Sequence, residues 1–372
     1  MTHVGLLADE AAVFKKLVSA LSGDLRFEHV GNAEDAAWEF VGDCWRDNEA
    51  DHVPAFLEQQ TRDPVDRTCY MPVEHLTVSS EIAILGLRLL PRDDPRVPNL
   101  GPRFNAAPAV GCFAAVDVRG SHYGKMGERA QRKARHVLRV LRIALRRHRS
   151  LHDRQLRFRL GEAYAFNDDI WGFQQGDEVA YDGVLTNDMV TLVTEQAVSR
   201  VPLNPTTDAE KKADVALRWI ERAMLTGEPL VALLYLFFAL EGLVGDQSEG
   251  LKAHRLAFRK TMLGHVVEGR FAHPNVTYLL YGEIRSAAVH GGTVPDVDWD
   301  LVQRFAAEVR DVLTQYLTVI ADKGFTKRSQ LLRYLDQHPD RPQLVAWFRE
   351  GGGDVWTKYL DQLERPANLR GS

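Results

Sequence analysis

The run from Leu230 to Val244 constrains the fold of this chain more than any other feature of its sequence. It is 15 residues long, and Glu241 is its only charged residue. A helix of that length extends about 22 Å, whereas the hydrocarbon core of a bilayer is about 30 Å thick. The run therefore predicts a helix buried in a protein core. Because an ionised carboxylate buried without a partner is unfavourable by several kcal/mol, Glu241 must either meet a basic side chain or reach solvent at the helix end.

Apolar residues at helical spacing continue on both sides of this run, from Thr207 to Ile320, with little strand patterning. They predict four more helices, with caps expected at Thr207 or Asp208 and at Asp298 or Asp300. The second half of the chain is therefore expected to form an all-α bundle of five helices.

The first half of the chain shows a mixed pattern. Helical spacing in the first 60 residues gives way to alternating apolar residues over 70–90 and 110–118, which indicate strands. A length of 372 residues also exceeds the usual span of one domain. The expected fold class is α+β, with a mixed α/β module for recognition over 1–205, the helical bundle over 206–322 and a helical appendage over 323–372.

Composition and cysteine spacing narrow the classes of function. With 45% hydrophobic and 26% charged residues, the chain is neither disordered nor fibrous. Cys44, Cys69 and Cys112 lie far apart, so neither a disulfide framework nor a structural zinc site is expected. No phosphate-binding glycine motif is present, and no cofactor or metal is expected. Acidic residues near the N-terminus argue against an export signal, which favours a cytoplasmic protein without a membrane segment.

A basic helix is predicted from Met126 to Arg149, inside a chain whose net charge is −5. Its apolar positions repeat at helical spacing, and a stripe of arginines runs beside them. A stripe of one sign repels itself, so it favours contact with a polyanion such as nucleic acid. The alternatives are an acidic face of a partner or of the second domain, and a merely solvated surface. The stripe consists of Arg135, Arg139, Arg142, Arg146 and Arg149.

The strongest candidate for chemistry is Arg285 followed five residues later by His290, at the end of the predicted fourth helix. Histidine can transfer a proton near neutral pH, and arginine presents a planar fork to phosphate, so the pair suits phosphodiester chemistry. Five residues span about 140° around an ideal helix, so the two can share a site only if the last turn opens. The same spacing recurs at Arg147 and at Arg333, and the context of a glycine-terminated helix distinguishes Arg285.

Three features in order resemble a HEPN domain, most closely its ApeA-like branch, over about Ala213 to Leu317. The first is the helix sequence from Ala213 to Ala223. The second is the Ala-Leu-Glu sequence that ends with Glu241, and the third is Arg285-Ser286-Ala287-Ala288-Val289-His290-Gly291, which matches the Arg-x4-6-His motif of the family. The family often has Asn, Asp or His after the arginine, where this chain has Ser286.

This resemblance implies a metal-independent endoribonuclease that works as a homodimer on RNA, with Arg285 and His290 of each copy in a shared cleft. The products would carry a cyclic phosphate, and a bacterial defence or toxin role would follow from the family. Ser286 and Glu241 complete the expected catalytic set, with Glu241 orienting Arg285 or His290. The alternative is a catalytically silent HEPN module for dimerisation or for binding a nucleotide or partner.

Overall fold

The computed structural model describes eleven segments of the chain, which fall into two compact units. The N-terminal unit takes the described residues up to Val137 and those between 158 and 186. The helical unit takes those between 138 and 157 and those from Asn187 onward. The described residues are 8–47, 52–99, 110–146, 159–160, 164–166, 169–171, 183–245, 252–271, 277, 280–290 and 296–351.

The N-terminal unit begins with three helices, as the helical spacing predicts. These are α1 (Ala8–Gly23), α2 (Ala33–Asp47) and α3 (Val53–Gln59). Apolar residues at helical spacing in α1 and α2 meet in one core, because that spacing puts them on one face of each helix. The core consists of Phe14, Leu17, Ala37, Phe40 and Val41.

A mainly antiparallel sheet follows. Its strands lie in the order β3-β4-β5-β1-β7-β8, with β6 also on β1, and β2 pairs separately and in parallel with β9. The central strands β1 and β5 are long and almost wholly apolar, so both of their faces are buried. The strands are β1 (Val65–Glu74), β2 (Leu76–Val78), β3 (Ile82–Ile84), β4 (Leu87–Pro91), β5 (Val110–Gly120), β6 (Arg159–Leu160), β7 (Tyr164–Phe166), β8 (Asp169–Trp171) and β9 (Gly183–Leu185).

The strands expected over 70–90 and 110–118 are therefore confirmed, and the N-terminal part of the chain is mixed α and β. The strands β7 and β8 were not expected from the sequence. Each has three residues, which is too short for alternation to be recognised.

The basic helix is α4 (Tyr123–Arg146). From Leu138 onward it belongs to the helical unit, and between Leu138 and Leu145 every side chain except Arg139 is buried. Two sides of this helix are therefore covered, although the sequence predicts one apolar face and one charged face.

The helical unit is otherwise made of helices that lie in sequence order. They are α5 (Asn187–Glu195), a 3₁₀ turn (Ala197–Arg200), α6 (Asp208–Leu225), α7 (Pro229–Val244), α8 (Lys252–Glu268), a π-helical turn (Leu280–Arg285), α9 (Ser286–His290), α10 (Trp299–Lys323), α11 (Arg328–Asp336) and α12 (Arg341–Gly351). Within the described ranges, no helix is both long enough and apolar enough to cross a membrane.

The helix starts fall where the sequence predicts them. Thr207 caps α6 by accepting a hydrogen bond from the backbone N–H of Glu210, whose carboxylate accepts one from Thr207 in return. Asp298 caps α10 in the same way through the N–H of Leu301. Each cap satisfies N–H groups that have no partner within the helix.

The apolar run is confirmed as a core helix. Eight side chains of α7 are buried, and Phe237 at its centre packs on Phe305 of α10 with 4.7 Å between ring centroids. The helix α11 packs against α6, α7 and α8, and the backbone N–H of Ala209 donates to the carbonyl of Thr326, just before α11. The first part of the expected C-terminal appendage therefore lies against the bundle, and its last piece lies outside the described residues.

Candidate functional site

A pocket of about 400 Å³ lies in the helical unit where α6, α7, α8, the π-helical turn and α11 converge. Its lining has four basic side chains and one carboxylate, together with an aromatic wall. The lining residues are Lys212, Trp219, Phe238, Glu241, Gly242, Gly245, Arg255, Leu256, Tyr281, Arg285 and Arg328. The excess of positive charge makes the pocket suited to an anion.

Glu241 and Arg285 form an ion pair in this pocket. Nη2 of Arg285 donates to Oε2 of Glu241 at 3.2 Å, and Nε lies 2.9 Å from Oε1 without hydrogen-bond geometry. The side chains are only 17% and 28% exposed, so the pair is shielded from water and holds the guanidinium in place. The carboxylate in the apolar run thus has a basic partner, and that partner is Arg285 and not His290.

Tyr281 supports the pair from the π-helical turn. Its ring is buried, lies 5.0 Å from Cζ of Arg285 and makes an edge contact with Phe237. Burial, with added effects of the charge of Glu241 and a hydrogen bond to it, raises the pKa of Tyr281 to about 12. The hydroxyl therefore stays protonated at neutral pH and donates to Glu241, which fixes the carboxylate that holds Arg285.

A second guanidinium reaches the same place from α11. Nη1 of Arg328 donates to the carbonyls of Glu241 and Gly242 at 3.1 Å each. Carbonyls in the last turn of a helix have no partner within it, and a cation there is favourable for the helix dipole. Arg328 thus stabilises the end of α7 and brings its charge into the pocket.

The fourth helix of the bundle is not regular where it carries these residues. It forms a π-helical turn from Leu280 to Arg285 and returns to α-helix at Ser286. Such turns occur often at functional sites, since they change which side chains share a face. Here Tyr281 and Arg285 of the turn both line the pocket. A single continuous helix was expected from the sequence.

The other two predicted catalytic residues lie elsewhere. Ser286 is half-buried and His290 is exposed, and neither lines the pocket. Because α9 is regular as far as His290, the rotation of about 140° between positions 285 and 290 is kept. Arg285 and His290 of one chain therefore do not share a pocket.

The aromatic wall was missed by sequence reasoning. Trp219 is half-buried and stacks on Tyr235 with 5.3 Å between centroids, and Phe238 meets its ring edge at 5.2 Å. The signal was present, because Trp219 follows Lys212 by seven residues and so lies on the same face of α6. Only the packing of α6 on α7, however, brings Phe238 beside it.

The arginine stripe of α4 is partly inside the protein. Arg142 is 3% exposed and pairs with Glu221 of α6, and Arg139 pairs with the second oxygen of the same carboxylate. Burial lowers the pKa of Arg142, and the charge of Glu221 opposes that shift. Arg142 therefore does not present its guanidinium to solvent, in contrast to the expectation for a nucleic-acid contact.

Of the stripe side chains that the structure describes, Arg135 alone is exposed. The side chain of Arg146 and all of Arg149 lie outside the described residues. The alternative of an acidic partner, here Glu221, describes Arg139 and Arg142.

Among the described residues, no three His, Cys, Asp or Glu side chains lie close enough to hold a metal ion together. The resemblance to HEPN domains rests on the motif residues and stays a prediction. Comparison of the chain with protein-family models, with curated proteins and with solved structures finds no match in any of the three.

Proposed function

We propose that the helical unit is a metal-independent endoribonuclease of the HEPN type, acting on RNA as a homodimer. The observation that carries the proposal is the Glu241–Arg285 ion pair, which holds a guanidinium in a cation-rich pocket one short helix away from His290. The motif resemblance adds the reaction class and a role in bacterial defence or as a toxin.

The chemistry follows from the two side chains. Arg285 binds the phosphate through its planar fork and stabilises the charge that grows on it in the transition state. His290 takes the proton from the ribose 2′-hydroxyl, which attacks the phosphorus, and the 5′-oxygen leaves with a proton from a second acid. The products are a 2′,3′-cyclic phosphate and a free 5′-hydroxyl. This route requires RNA, because DNA lacks the attacking hydroxyl.

A proton acceptor must lie within hydrogen-bond reach of the attacking hydroxyl. His290 is exposed and outside the pocket of its own chain, so we propose that a second copy brings its His290 to the phosphate bound at Arg285. The exposed end of α9 leaves the imidazole accessible for that approach.

The test is cleavage of RNA in excess EDTA, with detection of 2′,3′-cyclic ends. His290→Ala is expected to lower the rate by about 10²- to 10⁴-fold, the usual effect of removing a positioned acid–base group. Its fold should be unchanged because His290 is exposed. Arg285→Ala should also abolish cleavage. Arg333→Ala is the matched control, since Arg333 also stands five residues before a histidine but is exposed and lies outside the pocket.

Mixing the two inactive variants tests the shared site. A mixed dimer of His290→Ala and Arg285→Ala has one Arg285 and one His290 facing each other, so activity should partly return. A purified His290→Ala protein that cuts RNA as fast as the parent would refute the assignment.

The second candidate is a silent HEPN module for dimerisation or for binding a nucleotide or partner. It is favoured by one observation, the position of His290 outside the pocket that holds Arg285. A chain that dimerises and binds RNA, but yields no cyclic ends with structured or unstructured RNA, would support this candidate over the nuclease.

A further inference from the structure

We infer that the pocket binds one unpaired nucleotide of single-stranded RNA, with its phosphate among the basic side chains and its base against Trp219 and Phe238. The inference rests on the proposed function in taking RNA as the source of the nucleotide. It adds a base subsite and a preference for single strands, which the Arg285–His290 pair alone does not provide.

The charge of the pocket favours phosphate. Its only carboxylate, Glu241, is occupied by Arg285, whereas Arg328 is held by neutral carbonyl groups and keeps its full charge. Within the described part of the chain, no carboxylate lies at ion-pair distance from Lys212, which also lines the pocket. Uncompensated cations in a concave site raise the local concentration of anions, and guanidinium groups match phosphate geometry.

The aromatic wall favours a base beside that phosphate. Trp219 and Phe238 line the same pocket as the basic residues, and the indole is held from behind by its stack on Tyr235. The exposed guanidinium of Arg222 lies 4.8 Å from the indole centroid and adds positive charge beside it. A volume of about 400 Å³ falls in the range of small-molecule sites. Every base has a flat face, so stacking accepts any sequence but requires an unpaired base.

The experiment measures binding with full-length His290→Ala protein, so that cleavage does not consume the probe. The probes are a fluorescent single-stranded oligoribonucleotide, its duplex, and the same strand with one abasic residue, each followed by anisotropy. Adenosine monophosphate and inorganic phosphate serve as competitors. The variants, all on the His290→Ala background, are Trp219→Leu, Trp219→Phe and Lys212→Gln.

We expect the single strand to bind more tightly than the duplex, and Trp219→Leu to weaken its binding by about 5- to 150-fold, the usual effect of losing one stacked base. Trp219→Phe keeps a flat ring and should retain most of the affinity, which separates stacking from a folding defect. Lys212→Gln should make the salt dependence less steep by about one phosphate contact. The abasic strand should bind the parent and Trp219→Leu equally.

Several outcomes would overturn the base subsite. These are equal binding of the single strand by Trp219→Leu and the His290→Ala parent, equal binding of single strand and duplex, or competition by inorganic phosphate as strong as that by the mononucleotide. Binding of the mononucleotide without binding of the strand would assign the pocket to a free nucleotide and so overturn the RNA source.

The two proposals fail separately. Cleavage by the unmodified chain, with unchanged binding by Trp219→Leu and Lys212→Gln, would remove the subsite and leave the nuclease. Weakened binding by those variants, with no cyclic ends from the unmodified chain, would leave the subsite and remove the nuclease.

Discussion

Replacing Glu221 by glutamine is expected to destabilise the helical unit strongly, because this one carboxylate holds two arginines of α4. Its oxygens contact Nη1 of Arg142 and Nε of Arg139. The side chain of Arg142 is 4% exposed and that of Glu221 is 16% exposed, so both groups are largely removed from water. Since a guanidinium does not lose its proton in a protein, Arg142 would remain in the core as an unpaired charge.

The expected loss can be estimated from this burial. Breaking a buried ion pair from one side costs about 3–5 kcal/mol, and for a unit of this size about 2–4 °C of melting temperature is lost per kcal/mol. Glu221→Gln should therefore lower the melting temperature by about 6–20 °C. Arg142→Met should cost only about 1 kcal/mol, because it removes the buried charge while Glu221 keeps its pair with Arg139. The asymmetry between the two variants is the signature of a buried pair.

Urea unfolding followed by far-ultraviolet circular dichroism measures both effects, with calorimetry for the melting temperature. Arg135→Gln is the control from the same stripe, and because Arg135 is exposed, it should change stability by less than about 0.5 kcal/mol. Equal stability of Glu221→Gln and the parent would refute the burial of the pair. If Arg142→Met instead lowered RNA affinity and the salt dependence at unchanged stability, Arg142 would contact phosphate, as the basic stripe predicts.

Two further predictions concern the ends of helices. Thr207→Ala removes the acceptor that caps α6 and should lower the free energy of unfolding by about 1 kcal/mol, whereas Thr207→Ser should not, as urea unfolding will show. Burial lowers the pKa of His338, and the charges of His265 and Lys323 add to this effect while Asp340 opposes it. The unfolded chain therefore binds the proton more readily, and stability should fall as the pH drops below about 6.5. The melting temperature of His338→Gln should depend less on pH in that range.

The sequence predicts those parts of the fold that depend on local physics. The caps at Thr207 and Asp298 are formed by side-chain oxygens three residues before the N–H groups they accept, and such contacts need no tertiary structure. The apolar run with Glu241 predicts a buried helix in the same way, because no other placement removes so much apolar surface from water. The π-helical turn escapes prediction, since it shifts the helix by a fraction of a turn and leaves the apolar period nearly unchanged.

The candidate site is less accessible to prediction because its contacts join residues far apart in sequence. The need of Glu241 for a cation could be predicted from its apolar surroundings, but the choice of Arg285 depends on how the π-helical turn packs on α7. Arg328 comes from beyond the expected bundle, and no motif marks it as part of the pocket. The stripe of α4 shows the converse case, because a charged face that reads as exposed is neutralised by Glu221 of another helix.

The positions of Arg285 and His290 separate two parts of the proposed reaction. Arg285 is fixed inside its own chain by Glu241 and Tyr281, so phosphate binding requires one copy only. His290 stands exposed at the end of α9, outside that pocket, and proton transfer requires it to come within hydrogen-bond reach of the ribose. On the proposed mechanism a single chain therefore binds RNA without cutting it. Cleavage begins only when a second chain docks, so whatever controls assembly also controls the nuclease.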